Sequence, residues 1–434
     1  MLGLGLLGRG VNVAKFLAEL GAELTITDLK TAEALALSLR QLTKFKSIRY
    51  VLGEHRLEDF RGVDMVIKAA GVPLDSPYIR EAHKNNIPVE MDASLFTKFT
   101  PATVVGVTGT RGKSTVTHLL EHILNIAYPK HVFVGGNVRG MATLPLLKKA
   151  KVGDIVVLEL DSWQLQGFGD AKISPHIAVF TNFMVDHMNY YKGNMKKYFN
   201  DKANIFKYQK EGEVVIAGEQ AVKEIKGRFK GLVKGDAFIA RKSIVPKSWK
   251  IKILGDHNRA NIACAVLVAR ELDVAENIIK KGVESFMGVP GRLEYLRTVR
   301  GVKYYNDTTA TTPDGNRVAL LALTARSRKN IVLIAGGNDK ELDYREMAKL
   351  IHKTVKGLVL IKGTATDKIL ALLPKKHSYE VMVVVSMKEA VKSARVLARR
   401  GDTILLSPGA TSFGIFKNEF DRGNQFVALV KKLS

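Results

Sequence analysis

A glycine-rich segment that carries a lysine and a serine is the strongest local signal for chemistry in this sequence. It follows an apolar run, Thr103–Val107, and precedes an amphipathic stretch. The segment consists of Gly109, Thr110, Arg111, Gly112, Lys113, Ser114 and Thr115. Glycines let backbone N–H groups approach phosphate oxygens, and the start of a helix adds a partial positive charge. In such a loop Lys113 reaches the β- and γ-phosphates of a nucleotide and the Ser114 hydroxyl ligates Mg²⁺. The sequence therefore predicts an ATP-binding loop, although Val107 stands where the general motif has its first glycine.

Polar side chains follow two later apolar runs. Glu159 ends DIVVLEL, whereas Asn182, Asp186 and His187 come directly after HIAVF, and Lys202 lies further along. Open α/β sheets bind ligands at the carboxyl ends of their strands, where Glu159 could hold the Mg²⁺ of a nucleotide. Taken singly, strand-end acids also cap helices, and a lone histidine is more often structural. Together with the phosphate loop they favour a two-metal site for phosphoryl transfer.

The first residues offer a competing interpretation. Gly3, Gly5 and Gly8 form a G-x-G-x-x-G pattern, and Asp28 follows about twenty residues later, as in dinucleotide-binding proteins. This pattern alone would indicate a nicotinamide- or flavin-linked oxidoreductase. It should follow a strand, yet only two residues precede it, so we expect either a start site placed too late or a truncated first strand.

Three series of apolar runs alternate with helix-length segments, which predicts an α/β protein with parallel sheets. The first series contains AELTITD, SIRYVLG, MVIKAAG and PVEMD, and the second contains TVVGVTG, HVFVGG, DIVVLEL, HIAVFTN and EVVIAG. The third contains VKYYND, NIVLIAGG, GLVLIKG, VMVVVS and DTILLSPG, and the Pro- and Gly-containing stretch MGVPGRLEYL precedes it as a plausible linker. We predict three domains, over residues 1–97, 98–288 and 289–434.

Composition limits the class of protein. The 434 residues are 46% hydrophobic and 25% charged, as in ordinary globular domains. No apolar run approaches the roughly 18–20 residues that cross a bilayer, and no basic leader resembles a signal peptide. The single cysteine, Cys264 in NIACAVLVA, excludes an internal disulfide. We expect it to be a small core residue in a cytoplasmic protein.

The formal net charge of +25 raises the question of nucleic-acid binding. The basic residues are spread over segments such as KYQKEG, KEIKGRFKG and RKSIVPKSWK, without interleaved aromatic residues. This distribution favours a solvated, lysine-rich surface over a nucleic-acid interface. Such a surface would also attract polyanionic small substrates.

Several motifs in their order along the chain resemble those of the Mur ligases, and the resemblance covers essentially the whole chain. The motifs are GTRGKST, LELDSWQL, NFMVDHMNYY, DKANIF, GDHNRANIACA, GRLEYL, YNDTTATTPD and LSPGATSFGIFKNEFDRG. The ending SPGATSFGIFKNEFDRGNQF is similar to that of the glutamate-adding branch of the family.

The resemblance implies a Rossmann-like N-terminal domain for a UDP moiety, a central ATPase of the P-loop type and a Rossmann-like C-terminal domain that brings the amino acid. It implies ATP- and Mg²⁺-dependent ligation of D-glutamate to UDP-N-acetylmuramoyl-L-alanine through an acyl phosphate. This is a cytoplasmic step of peptidoglycan precursor synthesis, on which cell wall, shape and division depend. We therefore expect a monomer that binds small-molecule substrates, without a membrane or nucleic-acid partner. The alternatives are L-glutamate or another amino acid of a Mur-type ligase.

The resemblance also implies roles for individual residues. Lys113, His187 and Lys202 would be catalytic. Metal ligands would be Ser114, Glu159, His187 and, as a carbamate, Lys202. ATP would contact Gly109, Thr110, Arg111, Gly112, Lys113, Ser114, Thr115, Asn258, Asn261, Arg292 and Asp307. The UDP substrate would contact Leu6, Leu7, Asp28, Lys30, Gly71, Asn137, Ser162 and His187. The amino acid would contact Thr309, Thr311, Lys340, Ser412 and Phe413.

Departures from the family pattern leave other hypotheses open. Thr309 stands where a lysine usually contacts the incoming glutamate, Arg111 replaces a more usual asparagine, and Glu419 stands where a phenylalanine is frequent. A nucleotide-binding protein that has lost its amino-acid site is one alternative, although the retention of the catalytic residues argues against it. A folylpolyglutamate-type enzyme is another, and the N-terminal glycine loop argues against that.

Overall fold

We describe the protein from a computed structural model. It describes residues 1–6, 8–138, 141–228, 236–324, 329–412 and 414–434, and only the backbone at positions 223, 226 and 228. The chain divides into a first unit, Met1–Trp249 with Arg259–Glu284, and a second unit, Lys250–Asn258 with Ser285–Ser434. Each unit is built from parallel strands and helices, so the predicted α/β class is confirmed. The bounds of the three predicted domains stay predictions.

Four short strands open the first unit. They are β1 (Thr25–Asp28), β2 (Arg49–Leu52), β3 (Val66–Ile67) and β4 (Val89–Glu90), and β1 pairs with β2 and β3 with β4, both in parallel. Leu2 joins the two pairs, because it bridges in parallel to both Thr27 and Lys68. Its N–H donates to the Ile67 carbonyl at 2.9 Å. The residues before the glycine loop thus occupy the place of a central strand, as the glycine pattern requires.

Four helices accompany these strands. They are α1 (Arg9–Glu19), α2 (Ala36–Arg40), α3 (Pro77–Lys84) and α4 (Asp92–Phe99), and a 3-10 turn spans Leu57–Phe60. Helix α1 contributes Val11 and Ala14 to a buried cluster with Leu4 and Ile26. This packing fixes the start of α1 directly behind the glycine loop.

The rest of the first unit surrounds a six-stranded, wholly parallel sheet. Its strands are β5 (Thr103–Thr108), β6 (Val132–Gly136), β7 (Ile155–Glu159), β8 (Ile177–Phe180), β9 (Val214–Gly218) and β10 (Asp236–Ala240). Its helices are α5 (Lys113–Ala127), α6 (Ser162–Ala171), α7 (Met195–Ala203), α8 (Glu219–Arg228), α9 (Asp256–Glu271) and α10 (Glu276–Ser285). Two 3-10 turns span Leu144–Lys148 and Lys242–Ile244.

The strand order of this sheet is β10-β9-β8-β5-β7-β6. After β5 the chain moves to the far edge at β6, whereas β8, β9 and β10 lie on the other side of β5. The order therefore reverses next to β5, and the loop after β5 opens at the switch point where parallel sheets bind ligands. Strands β7 and β8, which flank β5, bring Glu159 and Asn182 to the same edge.

The second unit contains another six-stranded sheet, with the order β11-β12-β16-β13-β14-β15. Its strands are β11 (Glu294–Val299), β12 (Val302–Asn306), β13 (Ile331–Gly336), β14 (Val355–Ile361), β15 (Glu380–Val384) and β16 (Thr403–Leu406). Only the pair β11–β12 is antiparallel. The helices are α11 (Pro313–Leu323), α12 (Arg345–Thr354), α13 (Thr364–Leu372), α14 (Met387–Leu397) and α15 (Glu419–Lys431).

Two strands were not predicted, and the linker assignment of MGVPGRLEYL was wrong at its end. Strand β10 lies at a sheet edge with three exposed residues, and β11 lies at the other sheet's edge with only Val299 fully buried. Edge strands of this kind lack the apolar run that marks a buried parallel strand. Residues Glu294–Leu296 of the supposed linker belong to β11.

Cys264 is 1% exposed on α9, which confirms its prediction as a core residue. Burial raises the pKa of its thiol, so it is an inert thiol rather than a reactive one. No helix in the described ranges is both long and apolar enough to cross a bilayer.

Asp92, the first residue of α4, links the N-terminal strands to the central sheet. Its carboxylate accepts the backbone N–H groups of Thr143 at 2.9 Å and of Leu144 at 2.7 Å, at the start of a 3-10 turn. Burial raises the pKa of this carboxyl, although the two backbone donors oppose the shift. Asp92 therefore serves as the acceptor for two amides that would otherwise be unpaired.

We expect Asp92→Ala to lower the free energy of unfolding by about 2–4 kcal/mol, because two backbone donors lose their acceptor. Thermal unfolding followed by circular dichroism measures the effect, with the exposed Asp64→Ala as control. Equal melting temperatures for the two variants would contradict a structural role for Asp92.

Candidate active site

The phosphate loop has a backbone that only glycine fits at two positions. Gly109 has φ +142°, and an added Cβ would overlap the Thr181 hydroxyl. Gly112 has φ +85°, and an added Cβ would overlap the side-chain oxygen of Asn261. Residues from two other segments therefore pack directly against the loop.

Hydrogen bonds fasten this loop to the end of β8. The Thr110 N–H donates to the Asn182 carbonyl at 2.9 Å, and the Arg111 N–H donates to the Asn182 side-chain oxygen at 2.8 Å. The Thr181 hydroxyl donates to the Arg111 carbonyl at 2.6 Å. Helix α5 begins directly afterwards at Lys113, with Ser114 buried and Thr115 half-buried in its first turn. The loop and the helix start thus have the backbone arrangement typical of an anion site, and ATP binding by these residues stays a prediction.

Two lysine side chains meet at this loop. The Nζ of Lys113 donates to the Gly109 carbonyl at 3.1 Å, and the Nζ of Lys202 donates to the same carbonyl at 2.9 Å. Lys202 lies on α7 and is 1% exposed, with its Nζ 5.1 Å from the centre of the Tyr198 ring. Burial, and then repulsion from Lys113, hold the pKa of Lys202 well below its usual value. A neutral, nucleophilic amine is therefore favoured at Lys202.

Glu159 ends β7 beside the strand that leads into the loop. It pairs in register with Val107 of β5 and is 5% exposed. Within the described residues its carboxylate has neither a hydrogen-bond donor nor a cation partner. Glu159 thus brings a carboxylate to the switch point, where an acid can hold a cation that arrives with the ligand. A metal ion at this position stays a prediction.

His187 has an unusual backbone. Its φ is +55°, in the left-handed region that favours glycine, and its ring packs edge-on against Trp163 with centroids 4.6 Å apart. Burial, opposed by the charge of Asp186, lowers the pKa of the imidazole and favours the neutral, ligating form. Strained residues of this kind persist where their surroundings fix them and cluster at functional sites.

Arg111 forms an ion pair with Asp186, with 2.7 Å between Nη1 and Oδ2. The other oxygen of Asp186 accepts the N–H of His187 at 2.9 Å. Burial alone would raise the pKa of Asp186, but Arg111, His187 and these hydrogen bonds outweigh it and lower the pKa. The residue that departs from the family pattern thus contacts the neighbour of His187.

The described residues contain no group of three or more histidine, cysteine, aspartate or glutamate side chains that could hold a metal ion. The predicted ligand set does not require such a group, because it combines one hydroxyl, one carboxylate, one imidazole and one modified lysine.

The N-terminal loops lie at the carboxyl ends of the first strands. Asp28 accepts the N–H groups of Leu4 and Gly5 with one oxygen and that of Lys30 with the other, all at 2.9 Å. Burial would raise its pKa, but these donors and the Lys30 charge outweigh burial, so the pKa of Asp28 lies below its ordinary value. Asp28 therefore organises the glycine loop, whereas Leu6 and Lys30 remain exposed.

Gly71 lies on a neighbouring exposed loop that a buried cation supports. Lys68 is 2% exposed, and its Nζ donates to the Val72 carbonyl at 3.0 Å. Burial, only partly opposed by the charges of three aspartates, lowers the pKa of Lys68 to about 8. The sequence reasoning missed Lys68. Its position inside the apolar run MVIKAAG could have indicated a buried lysine. The predicted contact Leu7 lies outside the described residues.

Asn137 and Ser162 follow β6 and β7. The Asn137 N–H donates to the Glu159 carbonyl at 2.6 Å, and its side-chain oxygen accepts a hydrogen bond from Arg9 at 3.2 Å. Ser162 is buried at the first position of α6, behind the capping residue Asp161. The predicted contacts for the UDP substrate thus come from two neighbouring parts of the first unit, and Arg9, which sequence reasoning missed, connects them.

The predicted amino-acid contacts of the second unit follow three adjacent strands, β12, β16 and β13. The Asp307 N–H donates to the Leu406 carbonyl at 2.7 Å, and the N–H of Gly409 donates to the Ala310 carbonyl at 2.8 Å. The Asn338 and Thr411 backbones exchange two hydrogen bonds. The loops that carry Thr311, Lys340 and Ser412 therefore meet at one sheet edge.

Asp307 is the most perturbed acid in this unit. Its carboxylate accepts the Ser407 hydroxyl at 2.8 Å and the Leu293 N–H at 3.0 Å. Burial raises its pKa to about 7, although these donors and the charge of Arg292 oppose the shift. Arg292 precedes β11 and donates its N–H to the Val289 carbonyl at 3.1 Å.

The side chains of the predicted amino-acid site differ in their exposure and in their hydrogen bonds. The Thr309 hydroxyl donates to the Gly291 carbonyl at 2.9 Å, so its hydrogen is already committed. Thr311 is half-buried and Lys340 is exposed. The Ser412 hydroxyl is buried without a hydrogen-bond partner among the described residues. Phe413 lies outside them.

Arg422 is a buried cation that the sequence reasoning missed. It is fully buried on α15, and its guanidinium donates to the Thr308 carbonyl at 2.8 Å and to the Ala410 carbonyl at 3.2 Å. It thus ties the Asp307 loop to the loop after β16. The sequence could have indicated its burial, because Arg422, Phe426 and Val430 are spaced four residues apart and so share one face of the helix.

Asn258 and Asn261 both lie on α9. The Asn258 side chain donates to the Leu254 carbonyl at 2.6 Å. Asn261 is 6% exposed and packs over Gly112, so it lies against the phosphate loop. The predicted contacts of Asn258 and Asn261 with ATP stay predictions.

Family models match most of the chain. The Mur ligase MurD-like N-terminal domain matches residues 1–90, the Mur ligase middle domain matches residues 107–234, and the glutamate ligase domain of Mur ligases matches residues 291–409. The chain belongs to the Mur ligase family. The glycine pattern at the N-terminus is therefore that of a Mur ligase, and the oxidoreductase interpretation is not supported.

Curated relatives match this Mur ligase over its whole length. A UDP-N-acetylmuramoylalanine–D-glutamate ligase of Roseiflexus sp. is 36% identical, with 100% of this chain and 98% of that protein covered. An enzyme of the same name from Borreliella afzelii is 37% identical, and the match covers 100% of this chain and 97% of that protein. Another from Clostridium botulinum is 33% identical, and the match covers 99% of this chain and 96% of that protein.

Solved structures share the fold of this Mur ligase at lower identity. UDP-N-acetylmuramate-alanine ligase MurC of Thermotoga maritima has a TM-score of 0.63 at 22% identity, covering 99% of this chain and 98% of that chain. MurF ligase of Thermotoga maritima, solved with ADP, has a TM-score of 0.60 at 18% identity, covering 87% and 96%. FolC of E. coli, also solved with ADP, has a TM-score of 0.58 at 18% identity, covering 78% and 92%.

The raised pKa of Asp307 predicts a pH-dependent stability. The folded pKa of about 7 lies above the ordinary value of 3.8, so the carboxyl binds its proton more tightly in the folded chain. Its contribution to stability is complete below about pH 4 and is lost as pH rises through about 7. We expect the unfolding free energy of the native chain, relative to Asp307→Asn, to fall by about 1.4 kcal/mol per pH unit between pH 5 and 7.

Thermal unfolding of both chains at several pH values measures this difference, and the exposed Asp314→Asn is the matched control. A native–variant difference that stays constant with pH would show that the pKa of Asp307 is not raised.

Proposed function

We propose that this Mur ligase joins D-glutamate to UDP-N-acetylmuramoyl-L-alanine with cleavage of ATP to ADP and phosphate. The observation that carries the proposal is the full-length match to D-glutamate ligases, combined with Lys113, Glu159 and Lys202 around one phosphate loop. The substrate carboxylate attacks the γ-phosphate to give an acyl phosphate. The amine of glutamate then displaces phosphate from the acyl carbon.

The chain's own residues would stabilise the first step electrostatically. The N–H groups at the start of α5 and the Lys113 ammonium face the phosphates, where negative charge accumulates in the transition state. Gly109 and Gly112 let the backbone approach them closely. Asp28 stabilises the glycine loop that we assign to the uridine diphosphate.

Mg²⁺ fits the residues present. The Glu159 carboxylate and the Ser114 hydroxyl are oxygen donors of the kind that Mg²⁺ prefers and would hold one ion. His187 would ligate a second Mg²⁺, and carbamylated Lys202 would supply a further oxygen ligand. When bound, Mg²⁺ neutralises phosphate charge during transfer.

Lys202 meets the chemical requirement for carbamylation. Carbamate formation needs a neutral amine, and burial beside a second cation favours that form. The product is an anionic oxygen ligand, whose charge would be opposite to that of the neighbouring Lys113 ammonium.

We assign the glutamate site to the loops after β12, β13 and β16. Ser412 offers a hydroxyl that has no hydrogen-bond partner in the described part of the chain, and Lys340 offers an exposed ammonium to a dicarboxylate. Thr309 leaves no lysine beside the Asp307 loop, so L-glutamate remains the alternative substrate. A cytoplasmic location and a monomeric state are parts of the same proposal.

The stereochemistry is tested by phosphate release with ATP, Mg²⁺ and UDP-N-acetylmuramoyl-L-alanine. We expect D-glutamate to stimulate release at least tenfold over L-glutamate and over no amino acid, a selectivity of about 1.4 kcal/mol. Stimulation by L-glutamate alone would show that L-glutamate is the substrate. Stimulation by neither enantiomer would contradict the assignment of glutamate.

Glu159→Gln separates metal binding from folding. We expect the ligand-free variant to be at least as stable as the native chain, because the carboxylate has no hydrogen bond or ion pair within the described residues and a neutral amide costs less to bury. The thermal stabilisation by Mg²⁺ with a non-hydrolysable ATP analogue should fall by about 1.4 kcal/mol or more, as for a tenfold weaker complex. The exposed Glu346→Gln on α12 is the control, and an unchanged ligand shift in Glu159→Gln would remove Glu159 from the metal site.

A further inference from the structure

Arg111 is the residue of the phosphate loop at which this chain departs from the family pattern. Its backbone is fixed on both sides, because its N–H donates to Asn182 at 2.8 Å and its carbonyl accepts the hydroxyl of Thr181 at 2.6 Å and the amide of Asn182 at 3.0 Å. A rigid backbone leaves the long side chain with a defined starting point. The guanidinium leaves the loop toward Asp186 rather than toward the glycines.

Asp186 holds two groups at once. Its Oδ2 binds Nη1 of Arg111 at 2.7 Å, and its Oδ1 accepts the His187 N–H at 2.9 Å. The Nε2 of His187 lies 3.7 Å from Oδ2, beyond a hydrogen bond. The guanidinium therefore occupies the oxygen that could otherwise capture the imidazole.

The backbone of His187 needs such support. Its φ of +55° is costly for a residue with a side chain, and it persists only where surrounding contacts fix it. The contacts are the Asp186 oxygen on its N–H, the Tyr191 N–H on its carbonyl at 3.0 Å, and the Trp163 ring. The first of these is tied to the phosphate loop through Arg111. A second link runs through the Tyr198 ring, whose centroid lies 6.0 Å from that of the imidazole and whose hydroxyl lies 3.4 Å from the Thr110 hydroxyl.

We propose that Arg111 is a positioning residue that sets the orientation of His187 through Asp186. It couples the phosphate loop to the imidazole and keeps that imidazole free for a ligand. An asparagine at this position is too short to reach the same carboxylate from the same backbone. The proposal rests on the proposed function, because the orientation of His187 matters for catalysis only if His187 holds a metal ion.

The two tryptophans of the chain give a readout that does not depend on activity. Trp163 packs on the His187 ring. Trp249 lies elsewhere in the first unit, and its backbone N–H donates to the Pro246 carbonyl. With 5-fluorotryptophan in the full-length chain, ¹⁹F NMR reports both residues in one spectrum, and Trp163→Phe assigns the resonances. Trp249 is then the internal control for folding.

We expect Arg111→Asn and Asp186→Asn to shift the Trp163 resonance alike, and the double variant to shift it no further. Arg111→Lys keeps a cation that can reach Asp186 and should restore most of the native shift. Arg345→Asn, which breaks the exposed ion pair with Asp343, is the matched control and should change nothing. Non-additivity of the two single variants is the signature of one coupled unit.

Mn²⁺ binding in the presence of a non-hydrolysable ATP analogue supplies the second measurement, by electron paramagnetic resonance. We expect the half-saturating Mn²⁺ concentration to rise about fivefold in Arg111→Asn and Asp186→Asn, the size expected for loss of a partly exposed ion pair. Affinity for the analogue without metal should change less than about twofold, because the proposed contact is not with phosphate.

An unmoved Trp163 resonance in Arg111→Asn would overturn the proposal. So would a loss of analogue affinity without metal, because Arg111 would then be a phosphate contact. If the native chain releases no phosphate with either glutamate while the Trp163 shifts appear as expected, the proposed function fails and the positioning role stands.

Discussion

The site depends on how closely other parts of the first unit approach the phosphate loop. At Gly109 the Thr181 hydroxyl, and at Gly112 the Asn261 side chain, occupy the space that a Cβ would need. This close approach makes Asn182 and Thr181 available as hydrogen-bond partners for the loop backbone, and it places the Lys202 amine on the Gly109 carbonyl. Because the parallel sheet reverses its strand order next to β5, the same edge also receives Glu159 from β7. One packing constraint thus brings together groups that lie far apart in sequence.

Among the described residues, several ionisable groups around the two candidate sites are buried without an opposite charge in contact. In this part of the chain Lys202 donates only to a carbonyl and a hydroxyl, Glu159 has no partner, and Arg422 is bound by a hydroxyl and backbone carbonyls. Such groups cost stability unless something compensates them. For Lys202 and Glu159 the proposed compensation is chemical modification and a metal ion, which arrive only in the working enzyme. For Arg422 it is structural, because three hydrogen bonds satisfy the guanidinium and join two loops.

Sequence reasoning identified what is local and periodic. The phosphate loop and the glycine pattern are short contiguous motifs, and each buried strand is a contiguous apolar run. Nearly all the strands of both sheets were therefore predictable. Strands β10 and β11 were not, because their edge positions leave most of their residues exposed. The partners of side chains were equally hidden. Nothing in the sequence shows that Asp28 is occupied by the glycine loop, that Arg111 reaches Asp186, or that Lys68 supports the loop of Gly71. These contacts depend on tertiary packing, which a residue pattern does not encode.

Thr309 shows how such packing changes the meaning of a substitution. Read from the sequence, it is a lost cation in the amino-acid site. In the structure its hydroxyl and N–H both bind the Gly291 carbonyl, so the residue fastens the Asp307 loop to the segment before β11. The neighbouring Thr308 is fastened on its other side by the buried Arg422. These bonds hold the loop in place, and a lysine at position 309 would lose the hydroxyl's hydrogen bond to Gly291 while keeping that of the N–H. Where the family usually has a lysine, Thr309 thus contributes to the preorganisation of the Asp307 loop.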